Sequence, residues 1–387
     1  MADVLLLLEY AALNGGERSL LAVLEGLQQS GYRISAAAPP NGPLAEELMS
    51  RGVEVIPFDV CAPGGRRFSQ TALRERLREI IVSRRPELVH ANSLAMGRLS
   101  GPVVSDLGVC SVAHLRDMMS LTAAALRDVR CHTRLLAVSH ATRSWYVERG
   151  VDPARIHVLY NGVDLDTFRP RPTTGYLHRE LGLADDAKLV GSIGQISLRK
   201  GFDTVVASAR LLAASHPRVH WLIVGERHAQ KDETRQLEAA LRLASASPPL
   251  AGRLHLLGRR NDVTRLLNEF AALVHAARQE PLGRVLLEAA ASGVPIVATD
   301  VGGTAEIFPP GSQTARLVPS DNPDAVARET ALLLNDAALA CNMATLARRR
   351  AQSMFDARQS AASLAGHYDE LLNRHERGIM RGTFRVE

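Results

Sequence analysis

Short, uninterrupted apolar runs alternate along the chain with segments whose apolar residues recur every three or four positions. "DVLLLLEY" (3–10) is one such run and reads as a buried strand; "NGGERSLLAVLEGLQQSGY" after it opens at a Gly-Gly turn and repeats Leu and Val at helical spacing. "RISAAAP", "VEVIPFDV", "ELVHANS", "CSVAHLRD" and "RLLAVS" follow as strand candidates. Between Ser69 and Arg84, Leu73, Leu77, Ile80 and Ile81 recur at helical spacing and give that helix one buried face. A second series starts near Lys188 with "KLVGSIGQI" and continues with "VHWLIVGE", "LHLLGR", "ALVHAA", "PIVATD" and "ARLVP". Strands alternating with helices predict parallel sheets built from βαβ units. "VLYNGVDLDTFRPRPTT" (158–174), rich in turn formers and proline, predicts the connector between the series. No strand is predicted after Pro319, and the end of the chain reads as helix.

At 387 residues the chain exceeds what one core usually supports, so the pattern reads as two doubly wound, Rossmann-like α/β domains. Their best ligand site is expected in the cleft between them, at the carboxyl ends of the strands. With 46% apolar and 22% charged residues the composition is that of an ordinary soluble protein. The opening "MADVLLLLEYAALNGG" lacks a positive leader and is interrupted by Glu9, so it reads as a first strand rather than a secretion signal. No apolar run reaches the ~18 residues of a membrane span. Cys61, Cys110, Cys131 and Cys341 form no CxxC pair, which predicts reduced thiols in a cytoplasmic protein and no zinc site. The net charge of +5 is spread along the chain and aromatics make up only 4%, which argues against nucleic acid as a partner. Arg74, Arg76, Arg78, Arg84 and Arg85 on the helix after Phe68 raise peripheral contact with the inner membrane surface as an alternative to a solvated face.

Chemistry concentrates in "QEPLGRVLLEAAASGVPIVATDVGG". Its two glutamates, Glu280 and Glu288, are eight apart; on one helix they would be ~12 Å apart and rotated by about 80°. Pro281 and Gly283 delay the helix to about Arg284, which leaves Glu280 in the loop and Glu288 just past the first turn. The free amides around Leu282, Gly283 and Arg284 would attract an anion, phosphate above all. Carboxylates on either side of a diphosphate suit hydroxyls of a sugar and of a ribose. The same residues also read as a capping acid and a solvated helix glutamate. In "GSIGQISLRKGFD", Arg199 and Lys200 stand side by side before Gly201, able to clamp a diphosphate or to be a solvated loop pair. "GSIGQI" is not GxGxxG, so a nicotinamide cofactor is not expected.

"VSHATRSWYVERGVDPARIHVLYNGVD", "GQISLRKGFD", "LLGRRNDVTRLL" and "QEPLGRVLLEAAASGVPIVATDVGGTAEI", in this order, resemble retaining glycosyltransferase family 4 over roughly the whole chain. The resemblance implies the glycosyltransferase-B fold, with an acceptor-binding domain over 1–165 and a donor-binding domain over 166–364. A final helix, about 365–387, would cross back onto the first. It also implies transfer of a sugar from a nucleoside-diphosphate sugar to a sugar, lipid-linked or small-molecule acceptor, with anomeric retention and without metal or other cofactor. Glu280 would then contact the donor sugar's hydroxyls, Glu288 the ribose, and Lys200 the diphosphate. Where the family has an arginine after the glycine this chain has Gln195, and Arg199 is the candidate to replace that charge. Gly15 and Gly16 match the family's glycine loop, and His114 falls where the family often has a histidine near the donor sugar. His114 alone is equally a structural strand-end histidine; Asp117 and His90 are weaker candidates. Asn161 and Asp164 read as a hinge turn, Gly302 and Gly303 as shaping a loop, and the base would be met by backbone near Leu257–Asp262. No side chain stands out as a base toward the acceptor, which a mechanism using the donor's own phosphate tolerates. Two rival readings stay open: an epimerase or hydrolase of the same fold, and a non-catalytic nucleotide-sugar-binding subunit, which Gln195 favours.

Overall fold

The buried runs become strands. In the computed structural model, which describes residues 2–227 and 231–376, they form two parallel sheets. One has seven strands: β1 (Asp3–Leu7), β2 (Arg33–Ala38), β3 (Glu54–Pro57), β4 (Leu88–Ala91), β5 (Cys110–Leu115), β6 (Arg134–Ala137) and β7 (Ile156–Val158). The other has six: β8 (Lys188–Ile193), β9 (Val219–Val224), β10 (Leu254–Gly258), β11 (Ala272–His275), β12 (Ile296–Thr299) and β13 (Arg316–Val318). Their orders, β3-β2-β1-β4-β5-β6-β7 and β10-β9-β8-β11-β12-β13, reverse direction at β1/β4 and at β8/β11. Each sheet is therefore doubly wound, with its loops diverging at the carboxyl end of one adjacent strand pair. The short β7, on the sheet edge, lies where the connector had been expected to begin.

The chain divides into a unit made of Met1–Gly162 with Ala357–Glu387 and a unit made of Val163–Asp356. The boundaries expected at 165/166 and 364/365 thus lie at 162/163 and 356/357. The returning helix starts at Ala357 and runs to Glu376; the remainder of the expected helix, 377–387, falls outside the described residues.

In the first unit this Ala357–Glu376 helix covers one face of the sheet. Ala361, Leu364, Ala365, Tyr368 and Leu371 share a core with Leu20, Leu24 and Leu27 of the Gly15–Gln29 helix. The two helices approach so closely that a Cβ on Gly26 would lie 2.5 Å from that of Ala361. Polar ties fix the register: Tyr32 donates to Ala365 O at 3.3 Å, and Arg134, only 3% exposed, donates to Glu370 at 2.9 Å.

The strand pleat places Cys110, Val112 and His114 of β5 on one face of the sheet. His114 stacks on His90 of β4 with ring centroids 5.6 Å apart, and His90 Nδ1 lies 2.5 Å from the Tyr368 hydroxyl. Behind the opposite face, His132 Nε2 donates to Gly97 O at 2.9 Å. Loss of hydration disfavours the charged imidazole, so burial pushes His90 down to about 3, His132 to about 4 and His114 well below its ordinary value.

The arginines of the Gln70–Arg84 helix have partners within the unit: Arg74 with Asp128, Arg78 with Asp106, Arg84 with Glu54, and Arg76 over the Phe58 and Phe68 rings. They are engaged with the protein's own groups. Among the described residues no single helix is long and apolar enough to cross a membrane.

The buried neutral histidines make the first unit acid-sensitive. Their folded pKa values lie below the unfolded value of about 6.5, so the unfolded chain binds protons that the folded one refuses. Stability is complete above about pH 6.5 and declines as pH falls toward the folded values. Each fully buried histidine should withdraw about 2 kcal/mol between pH 7 and 5; Glu17, whose pKa burial raises, offsets part of this. Thermal unfolding at the two pH values should show the loss, and equal midpoints would mean that these rings are protonated in the native state.

Candidate functional site

Arg199, Lys200, Arg278 and Glu280 of the second unit lie on the loops that follow β8 and β11. After β8 the chain makes a single 3-10 turn, Leu198–Lys200, and Lys200 is its last residue. Gly201 follows with φ +64°, and a Cβ there would come within 1.8 Å of Ala276 O in the loop after β11. The two loops flank the β8/β11 switch point and touch through backbone. Arg278 stitches them together: its amide donates to Arg199 O at 2.8 Å, and its guanidinium to Leu198 O at 2.6 Å, to Asp203 at 2.7 Å and to Asp321 at 2.6 Å.

This contact brings Lys200 and Glu280, eighty positions apart in sequence, into an ion pair of 2.5 Å at Glu280 Oε2. His275, the last residue of β11, reaches the same oxygen with Nε2 at 2.8 Å. Glu280 is 5% exposed and His275 2%. Burial alone would raise the Glu280 pKa, but the Lys200 charge and the His275 hydrogen bond outweigh it and hold the carboxyl far below the usual range. Burial likewise lowers His275, which stays a neutral imidazole despite the carboxylate beside it. Oε1 of Glu280 accepts no hydrogen bond from the described residues.

Glu280 is also fixed through its backbone. Its carbonyl accepts from Gly303 N at 2.9 Å, and a Cβ on Gly302, φ +55°, would lie 2.0 Å from that oxygen. The loop after β12 therefore closes on Glu280 only because position 302 has no side chain.

Beyond Gly283, φ +105°, the Arg284–Ala291 helix starts where the proline and glycine indicated. Glu288 lies one turn in, 6% exposed, and Arg284 donates to its Oε1 from Nε at 2.7 Å. Its Oε2 accepts nothing among the described residues. Leu282, between the two glutamates in sequence, is buried. Gln195 and Arg199 are half-buried, and their side chains make no hydrogen bond or ion pair among the described residues. Near the expected base loop, Arg260 pairs with Glu180 and Asp262, and Asp262 accepts from the Tyr176 hydroxyl at 2.9 Å.

Gly15, Gly16 and His114 belong to the first unit. Gly15 and Gly16 open the Gly15–Gln29 helix after β1. His114 does not emerge at the sheet's edge: it is 3% exposed and neither ring nitrogen has a hydrogen-bond partner among the described residues. Two residues on, Arg116 takes the edge position and donates to Asn92 Oδ1 at 2.7 Å and Asn161 Oδ1 at 2.6 Å, while Asn92 donates to Gly16 O at 3.2 Å. Asn161 is thus part of a web across the ends of the strands. Asp164 caps its own turn through Asp166 N at 3.0 Å, and Asp117 accepts from the Tyr146 hydroxyl through its carbonyl. His275, Arg278 and Arg116 were missed in the sequence. A histidine interrupting the apolar "ALVHAA" was the available signal for the first.

The second unit matches the family model described as glycosyl transferases group 1 over residues 176–350, and the first matches that of glycosyltransferase family 4 over residues 13–167. The chain belongs to the group 1, family 4-like glycosyltransferases. A phosphatidyl-myo-inositol mannosyltransferase of Mycolicibacterium smegmatis is 28% identical, over 84% of this chain and 82% of its own. A D-inositol 3-phosphate glycosyltransferase of Streptomyces scabiei is 26% identical over 90% and 83%. Among solved structures, Anabaena HepE in complex with UDP-glucose superposes with a TM-score of 0.84 at 22% identity, covering 96% of this chain and all of that one. A Rickettsia africae glycosyltransferase gives 0.79 at 19% identity, covering 96% of this chain and 98% of its own. These structural likenesses carry the two-domain glycosyltransferase-B fold.

Gly302→Ala separates the steric role of the β12 loop from its backbone conformation. Left-handed backbone and the overlap with Glu280 O together should cost on the order of 2–4 kcal/mol. Gly311→Ala, at φ +77° with open space around it, should cost only the conformational part, about 1 kcal/mol. Equal losses in denaturant unfolding would show that nothing closes on Glu280.

Proposed function

We propose that the chain transfers a hexose from a nucleoside-diphosphate sugar to an acceptor hydroxyl, with retention of anomeric configuration and without a metal ion. The observation that carries this reading is the pair of buried glutamates on either side of the Gly283 turn. Each has one oxygen held by neighbouring donors and one oxygen left to accept from a ligand. Ionised carboxylates can only accept hydrogen bonds, so their partners on a ligand are hydroxyl or amide donors, as a sugar and a ribose supply. Between them, the first amides of the Arg284–Ala291 helix carry the partial positive charge of a helix start. Arg199, Lys200 and Arg284 stand against Glu280 and Glu288, a surplus of one positive charge that suits a diphosphate.

In the transfer step the bond from the anomeric carbon to the diphosphate breaks and negative charge grows on the leaving phosphate oxygen. Lys200, Arg199 and the amides near Gly283 are the groups of this unit that would stabilise it. The acceptor oxygen bonds to the anomeric carbon on the face the diphosphate leaves and gives its proton to that same phosphate, which accounts for retention without a carboxylate base. The relatives named for transfer to inositol phosphate and phosphatidyl-inositol make a hydroxyl of a phosphorylated small molecule or a lipid headgroup the first acceptor class to try.

Calorimetric titration with UDP, GDP and ADP, without metal, tests the donor half. One nucleotide should bind clearly better than the others, and Glu288→Ala should weaken it roughly ten- to hundredfold, the worth of a hydrogen bond to a charged group. A folded protein that binds none of the three would favour the non-catalytic reading, with Gln195 as the missing charge.

A further inference from the structure

Lys200 and His275 share one oxygen of Glu280, and they differ in how firmly they are held. Lys200 ends a 3-10 turn and carries its ammonium on a flexible four-carbon stem. His275 is part of β11: it pairs in register with Ala298 of β12, is 2% exposed, and alternates with Val274, which packs into the unit's main core. As a neutral imidazole facing a carboxylate, it must carry its proton on Nε2 and donate to Oε2. The lysine is therefore the mobile partner of Glu280 and the histidine the fixed one.

Lys200 cannot serve two anions at full strength. While its ammonium lies on Glu280 Oε2 it is largely neutralised, and a diphosphate must draw it away to use its charge. Glu280 would then be a buried carboxylate short of a donor, the arrangement that costs most in a protein interior. We propose that His275 is a positioning residue for donor binding: it holds Glu280 by Oε2, with Oε1 toward the sugar, while Lys200 turns to the diphosphate. This rests on the nucleotide-sugar reading above and adds to it the residue that lets one lysine and one glutamate act on opposite ends of the ligand.

The second glutamate needs no such device. Arg284 is one helical turn from Glu288 and forks onto its Oε1 through Nε and Nη2. Replacing one of the two N–H groups leaves the other.

The test uses the full chain in three forms: wild type, His275→Leu, which keeps bulk and removes the donor, and His275→Gln, whose amide nitrogen can occupy the place of Nε2. UDP-glucose, GDP-mannose and ADP-glucose, each with its parent diphosphate, are titrated calorimetrically, and thermal midpoints are recorded. For whichever nucleotide sugar the wild type binds, His275→Leu should lose roughly ten- to hundredfold in affinity, and His275→Gln should recover to within a few-fold. Midpoints of the two variants should be alike, so that affinity separates them where stability does not. Unchanged affinity in His275→Leu overturns the proposal. So do equal losses in both variants with equally lowered midpoints, which would make His275 a packing residue. A folded wild type that binds none of the probes instead overturns the nucleotide-sugar reading, and this proposal with it.

Discussion

A carboxylate buried to 5% exposure is the constraint around which the second unit is arranged. Left unpaired, Glu280 would cost several kcal/mol or take up a proton. It is kept ionised by a lysine from the loop after β8 and a histidine at the end of β11. Those partners can meet only where β8 and β11 lie side by side, at the point where the strand order reverses. The details around it follow from that meeting. Gly201 lets the β8 loop press against Ala276, Arg278 ties the lysine-bearing turn down, and Gly302 lets the β12 loop close on the Glu280 carbonyl.

The first unit reverses its strand order in the same way and uses different chemistry there. At its β1/β4 switch a guanidinium, Arg116, is held by Asn92 and Asn161, and Asn92 in turn holds Gly16 at the start of the Gly15–Gln29 helix. Below that edge the sheet is sealed by the Ala357–Glu376 helix, under which His90 and His114 are stacked. One topology, repeated, thus supports an anion–cation pair in one unit and a guanidinium held by asparagine side chains in the other.

The strands were legible because parallel sheets bury both faces and leave continuous apolar runs such as "DVLLLL" and "HWLIV". Glu280, Glu288 and the helix between Gly283 and Ser292 were legible because Pro281 and Gly283 punctuate the chain there. Lys200 stood out because it and Arg199 are side by side before Gly201. What the sequence hid was pairing over distance: nothing local ties residue 200 to residue 280, or marks His275 as a partner of either. The resemblance placed His114 near a ligand, yet the strand pleat turns it under a helix and gives the edge to Arg116. The three-residue β7 was lost because it runs straight into the turn formers of the connector, which had been expected to begin at Val158. The unit boundary falls inside the Asn161–Asp164 turn, which the sequence marks as a turn without marking the residue at which one unit ends.

A crystal structure of the protein with its nucleoside-diphosphate sugar bound is the most direct test of the claim that the Lys200–Glu280–His275 group is the donor site. The diphosphate is expected at the start of the Arg284–Ala291 helix with Lys200 on a phosphate oxygen, a sugar hydroxyl on Glu280 Oε1, and His275 still on Oε2. A nucleotide sugar bound elsewhere, with the Lys200–Glu280 pair intact, would contradict it.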